Sequence, residues 1–331
     1  MREYDIRPAD IFAEYLRLSA RDAAALFDLT HAHERECPAC GSAVSSPAFT
    51  KAGFPFRSCN ACRTLFASPL PPVEQFEAFY RDGESARYWA NVFVPRVMES
   101  RRSAVVRPRV RRIRHLCFER HVDPAAVLDI GAGHGMFLEE WRTCWPDVKA
   151  FAVEPNAVLA ERCRSLGFGV HEGVGERANK HWRDMADLIT SFEVVEHVPD
   201  LIGFIASLRD MLRPGGMAVV TSLGSSGFDI QVLWDKANCI CPPSHVNFCS
   251  IAGFEAAFKR AGFDSVEVMT PGELDVDIVR NKLAESDVSL SRFERHLLSQ
   301  DPAVLAEFQQ FLARNRLSSH TWVLARKAKK A

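Results

Sequence analysis

Val127-Leu128-Asp129-Ile130-Gly131-Ala132-Gly133-His134-Gly135-Met136-Phe137 decides the fold. A short apolar run ends in an acid and a glycine-rich turn. A helical pattern follows, with Phe137, Leu138 and Trp141 spaced for one face. The pattern reads as strand, tight turn, helix. Glycines let the backbone adopt positive φ and pass close to a ligand. The helix N-terminus offers unpaired N–H groups and partial positive charge. The spacing is G-x-G-x-G, not the G-x-G-x-x-G of dinucleotide sites. A second apolar run, 148–153, ends at Glu154, where an acid is placed to accept hydrogen bonds from a ribose diol. Taken alone, this turn fits any α/β nucleotide site.

From Val127 onward, strand and helix patterns alternate. Strands are predicted at 126–130, 149–153, 168–171, 187–192, 216–222, 264–269 and 320–326. Alternation of this kind gives an α/β fold, a doubly wound and mainly parallel seven-stranded sheet. Ligands in such sheets bind beyond the C-terminal strand ends. The turn at 131–135, Glu154 and the stretch 193–197 all follow predicted strands.

Two further stretches narrow the reading. Residues 187–200 read Asp-Leu-Ile-Thr-Ser-Phe-Glu-Val-Val-Glu-His-Val-Pro-Asp, and 212–216 read Leu-Arg-Pro-Gly-Gly. With the glycine turn and Glu154, they resemble the class I S-adenosyl-L-methionine (SAM)-dependent methyltransferases, a Rossmann-like fold, over roughly residues 125–270. The resemblance implies SAM as cofactor. It places Asp129 toward the methionine end and Gly131, Gly133 and Gly135 against the ligand. Glu154 takes the ribose hydroxyls, and Phe192 and Glu193 lie near the methionine and the reacting methyl. The chemistry is an in-line displacement from a sulfonium. Alignment supplies several kcal/mol of the barrier, and a positioned base adds about 10² to 10⁴ in rate.

Near the N-terminus, Cys37-Pro-Ala-Cys40-Gly41 and Cys59-Asn-Ala-Cys62 form two C-x-x-C knuckles separated by residues 41–58. This spacing is a strong tetrathiolate zinc signal. The paired knuckles argue against free thiols or a lone redox pair. Four thiolates leave no open position, so the Zn²⁺ is expected to be structural. Pro69-Leu70-Pro71-Pro72 closes this zinc-ribbon-like module as a stiff linker.

The acceptor side is read from Cys241-Pro-Pro-Ser-His-Val-Asn-Phe-Cys249, after the fifth predicted strand of the sheet. This loop, with the zinc module, resembles bacterial methyltransferases acting on nucleotide-linked sugars and surface-polysaccharide precursors. Sugar C-methylating members carry Glu-His where this chain has Ser244-His245, and a loop histidine matched here by His197. The departure at Ser244 favours O- or N-methylation over C-methylation. Histidine has an ordinary pKa near neutrality and suits a general base. His245 is favoured as that base, with His197 orienting a hydroxyl. The alternative is that each merely braces its loop. An aromatic helical segment from Phe76 to Phe93 supplies Tyr80 as a further candidate site residue.

The expected organisation is a helical arm at 1–36, the zinc module at 37–68, a helical lid or linker at 69–124, and a transfer domain at 125–331. A helical insertion at about 272–318 is placed to cap the acceptor pocket or form a homodimer contact. Asp275 and Asp277 there read as surface acids at a helix start. The 331 residues are 47% hydrophobic and 25% charged, with net charge −1. That balance gives no general attraction to nucleic acid or anionic lipid. Seven arginines between 101 and 114 motivate a zinc-containing RNA methyltransferase as an alternative, with most of them expected to be solvated. A catalytically idle SAM-binding interaction module is the other. The N-terminus lacks a signal-peptide core, and no run reaches membrane-spanning length, so a cytoplasmic chain is expected.

Overall fold

The computed structural model describes residues 2–286 and 288–329. Residue 1 of the expected arm, residue 287 of the expected insertion and residues 330–331 of the expected transfer domain lie outside the described residues. In chain order the strands are β1 (Ser45–Lys51), β2 (Phe54–Cys59), β3 (Leu65–Ala67), β4 (Ala126–Ile130), β5 (Lys149–Glu154), β6 (Gly169–Glu172), β7 (Ala186–Phe192), β8 (Leu212–Leu223), β9 (Asn247–Phe248), β10 (Ser265–Met269) and β11 (His320–Arg326).

The large sheet runs β10-β11-β8-β7-β4-β5-β6. β4 to β8 pair in parallel, and β11 runs antiparallel to both β8 and β10. It contains every strand expected for it. β4 is buried along its whole length, which is why Ala126–Ile130 reads as a continuous apolar run broken only by Asp129. Its side chains alternate between faces. Val127, Leu188 and Val219 meet Ile113, Leu138 and Trp141 on one side. Leu128, Ile189 and Val220 meet Phe204, Phe254 and Phe258 on the other. β8 begins earlier than the expected residue 216. Leu212-Arg-Pro-Gly-Gly is drawn into the strand because Leu212 pairs with Ala186 and the Gly215 N–H bonds to the Lys327 carbonyl.

The second sheet draws in a strand from outside residues 37–68. Its order is β1-β2-β3-β9, all antiparallel. The fourth strand comes from beyond β8, with Leu65 opposite Phe248 and Phe66 opposite Asn247. Residues 37–68 therefore do not close on themselves. Cys37, Cys59, Cys62 and Phe66 lie in the same apolar cluster as Leu128 and Phe258. Too small to bury its own core, the module borrows the core of the large sheet.

Arg35 fastens this junction. Its guanidinium donates to the carbonyls of Ala67 at 2.8 Å, Pro199 at 3.2 Å and Val246 at 3.2 Å, and to the Asn247 side chain at 2.8 Å. Burial lowers its pKa to about 10, so it stays charged at neutral pH.

The 69–124 region is helical, and two π-turns at Trp89–Phe93 and Arg102–Val106 interrupt it. The arginine run divides accordingly. Arg107, Arg111, Arg112 and Arg114 are exposed, whereas Arg101, Arg102 and Arg109 turn inward. The insertion forms helices Asp275–Glu285, Arg292–Leu298 and Pro302–Arg314. Asp275 is buried, contrary to the surface reading. It accepts from the Ser319 N–H at 2.8 Å and the Gln309 amide at 2.8 Å, which ties the insertion to the start of β11. Asp277 accepts from the Glu3 N–H at 2.7 Å. Among the described residues no helix is long and apolar enough to cross a membrane.

Arg35→Ala strands several buried carbonyls. It should destabilise the chain by about 2–4 kcal/mol in urea unfolding. A change within about 0.5 kcal/mol, as for ordinary surface substitutions, would show that the junction holds without it.

Candidate active site

The glycine turn sits at the C-terminal end of β4. Gly131 has φ of +75°, and a Cβ there would come within 2.6 Å of a Val194 methyl. Both facts demand glycine. Gly133 has φ of +55°, and its Cβ position opens on free space. Gly135, also at positive φ, is the residue from which the helix Met136–Cys144 starts. Glu154, ending β5, is buried and holds the turn from the side. One carboxylate oxygen accepts from the Gly133 N–H at 2.8 Å, the other from the Asn156 N–H at 2.9 Å. Burial raises its pKa and these two N–H groups oppose the rise. Asp129 lies beneath the turn, 2% exposed, and accepts from the Thr190 hydroxyl at 2.7 Å. Burial pushes its pKa up to about 7.

β7 delivers Phe192 and Glu193 to the same edge. Phe192 meets Phe137 edge-on at 4.8 Å between ring centroids, and the Arg109 guanidinium lies 4.3 Å from its ring centroid. Glu193 is a non-glycine residue at φ +55°, a conformation costing on the order of 1–3 kcal/mol. Its surroundings hold it there. Its N–H bonds to the Thr221 carbonyl at 3.0 Å. Its carboxylate accepts from the Thr221 hydroxyl at 2.6 Å and faces His320 at 3.3 Å and Arg109 at 3.6 Å. Burial alone would raise its pKa, but His320, Arg109 and Thr221 hold the carboxyl well below the ordinary range.

The structure brings Tyr80, His197 and His245 into one cluster. The Tyr80 hydroxyl is 3.0 Å from His197 Nδ1 and donates to the Ser244 carbonyl at 3.2 Å. The imidazole centroids are 4.6 Å apart, with the rings nearly perpendicular. His197 Nδ1 lies 2.8 Å from the Ser244 carbonyl, and His245 Nδ1 2.6 Å from the Cys239 carbonyl. Burial lowers both pKa values, to about 4 for His197 and about 3 for His245. Both rings are neutral at physiological pH.

Several members of this site escaped the sequence reading. Glu196 is fully buried beside the two histidines, although its spacing from Glu193 and His197 was in plain view. Arg109 was hidden within a run of arginines. Tyr15, which donates to the Ser244 hydroxyl at 3.3 Å, and His320 carried no local signal at all.

The four module cysteines also converge. Their sulfurs lie within 4.8 Å of one another. Cys37 and Cys62 are 3.6 Å apart, Cys40 and Cys59 3.5 Å apart. Four sulfurs at ~2.3 Å from a central Zn²⁺ would be about 3.8 Å apart, so the set fits such an ion with little adjustment.

A family model described as "Methyltransferase domain" matches residues 99–268, half of the chain. The chain is 32% identical over 104 residues to a ubiquinone biosynthesis O-methyltransferase of Xanthomonas axonopodis pv. citri, covering 30% of this chain and 43% of that protein. A protein of the same name from Sinorhizobium medicae is 36% identical over 101 residues, covering 29% and 40%. The chain thus spans less than half the length of these curated relatives. Among solved structures, the plantazolicin methyltransferase BamL, in complex with a triazolic desmethylPZN analog and S-adenosylhomocysteine, superposes with a TM-score of 0.51 at 13% identity. That match covers 77% of this chain and 95% of the other. A SAM-dependent methyltransferase from Archaeoglobus fulgidus gives 0.46 at 19% identity over 68% and 94%. The chain belongs to the methyltransferase-domain family.

Asp129 generates a pH prediction. Its folded pKa is raised, so its contribution to stability is present at low pH and lost as pH rises through about 7. The rise from 3.8 to about 7 is worth at most about 4 kcal/mol. Asp129→Asn should therefore stabilise the ligand-free chain at pH 8, with the difference shrinking toward pH 4. Thermal unfolding across that range checks it. A constant difference at all pH values would contradict it.

Proposed function

We propose that this member of the methyltransferase-domain family transfers the methyl group of SAM to a hydroxyl of a small acceptor. The acceptor class we favour is a nucleotide-linked sugar or surface-polysaccharide precursor. The observation that carries the cofactor reading is the Glu154 carboxylate, buried against the glycine turn and anchored by the Gly133 and Asn156 N–H groups. A carboxylate oxygen has lone pairs to spare beyond one such bond, so Glu154 can accept from ribose hydroxyls as well. Gly133 leaves room for the ligand, and Asp129 supports the turn from below. Phe192 and Glu193 border the position of the methionine and reacting methyl.

The acceptor hydroxyl is presented at the Tyr80–His197–His245 cluster. A neutral imidazole has a lone pair for the departing proton, and either His245 or His197 takes it as the oxygen attacks the methyl carbon. Tyr80 and Ser244 fix the histidine orientation. The O-methyltransferase names of the curated relatives support oxygen as the attacking atom. The resemblance of the zinc module and the Ser244-His245 loop to sugar-precursor enzymes supports the acceptor class. Zn²⁺, held by Cys37, Cys40, Cys59 and Cys62, would be structural, because four thiolates complete its coordination.

Isothermal titration tests the cofactor assignment. The intact chain should bind SAM, and Glu154→Ala should weaken that binding at least tenfold, about 1.4 kcal/mol. No binding by the intact chain, or equal binding by the variant, would refute the assignment.

A further inference from the structure

Glu196 is unused by the reaction outlined above, yet it is fully buried within the acceptor cluster. One of its carboxylate oxygens accepts from the Ser222 hydroxyl at 2.7 Å. The other, Oε1, is buried and has no hydrogen-bond partner among the described residues. An unpaired buried carboxylate oxygen is costly and calls for a proton or a cation. Glu196, His197 and His245 each offer one ligating atom, and the three atoms lie within 4.8 Å of one another.

The histidines are set as ligands usually are. Each places Nδ1 against a main-chain carbonyl, His197 on Ser244 at 2.8 Å and His245 on Cys239 at 2.6 Å. A proton on Nδ1 that bonds to a carbonyl leaves the lone pair on Nε2. This outer hydrogen bond is the arrangement that fixes the tautomer of metal-ligating imidazoles. The perpendicular rings, 4.6 Å between centroids, do not stack face to face. Ser222 orients the carboxylate in the same supporting way. Two imidazoles and one carboxylate suit Zn²⁺, Co²⁺ or Mn²⁺ and leave a coordination position open, unlike the four-thiolate set.

We propose that Glu196, His197 and His245 bind one divalent transition-metal cation, and that its open position receives the acceptor hydroxyl. The ion site stands on the geometry alone; its role rests on the proposed transfer to oxygen. The bound hydroxyl loses its proton to solvent more readily beside the cation. Its oxygen then forms the bond to the methyl carbon as the sulfur–carbon bond breaks. The products are the methyl ether, S-adenosylhomocysteine and one proton. This replaces the imidazole base of the proposed transfer: the histidines hold the ion, and the proton leaves to solvent instead of to His197 or His245.

Metal content after equilibrium dialysis of the intact chain against micromolar Zn²⁺ tests the site. We expect about two zinc ions per chain in the native protein and about one in either Glu196→Gln or His245→Asn. The first variant keeps an oxygen for Ser222, and the second keeps an N–H for the Cys239 carbonyl. Circular dichroism melts and SAM titrations on the same samples separate the outcomes. Equal zinc content in folded native and variant chains overturns the ion site, and the methyl-transfer reading survives if SAM still binds. A lost zinc equivalent in a chain that never binds SAM leaves the ion site standing and removes the transfer reading.

Discussion

The short pairing of β3 with β9 is the constraint on which the Tyr80–His197–His245 cluster depends. It joins a segment near the N-terminus to the loop that carries Ser244 and His245. It adds a sheet tie to the stretch that leaves the large sheet at Leu223 and reaches the helix Ile251–Arg260. With it, Val246 accepts from the Ala67 N–H at 2.9 Å, and His245 is fixed directly before the strand. Arg35 adds a second tie by bridging the module, the loop after β7 and the strand β9. The Val246 N–H bonds in turn to the Glu196 carbonyl at 2.8 Å. The two histidine-bearing loops are thus positioned relative to one another by main-chain bonds, which are harder to deform than side-chain contacts alone.

The same edge of the large sheet stores the polar cost of the site. Asp129 and Glu154 are buried with raised pKa values, and Glu193 occupies a strained conformation. Each is tolerated because neighbouring groups compensate: Thr190 for Asp129, two N–H groups for Glu154, and Thr221, His320 and Arg109 for Glu193. Local sequence rules are violated at this edge, where the chain concentrates charge and curvature, and satisfied through the surrounding sheet.

This division also explains what was legible in the sequence. The seven strands, the glycine turn and the cysteine knuckles are local signals, expressed as periodicity, turn chemistry and ligand spacing, and the structure contains them near the expected positions. β9 was not legible, because two residues of strand carry no periodicity and acquire meaning only from a partner far away in the chain. Asp275 looked like an ordinary helix-start acid until β11 and Gln309 enclosed it. Arg109 was one arginine among several, and only the helix phase decided that it would cover Phe192. Glu196 was visible in the sequence, but its burial, and hence its chemical interest, depended on Ser222 from β8.

The cysteine module thus holds the His245 loop in place through β9. Hydrogen–deuterium exchange on the intact chain, compared with Cys40→Ser, tests it most directly. Amides of 65–67 and 246–248 should lose protection together while those of β4 and β5 keep theirs. Unchanged protection at 246–248, in a variant whose cysteine segment has become exchangeable, would contradict it.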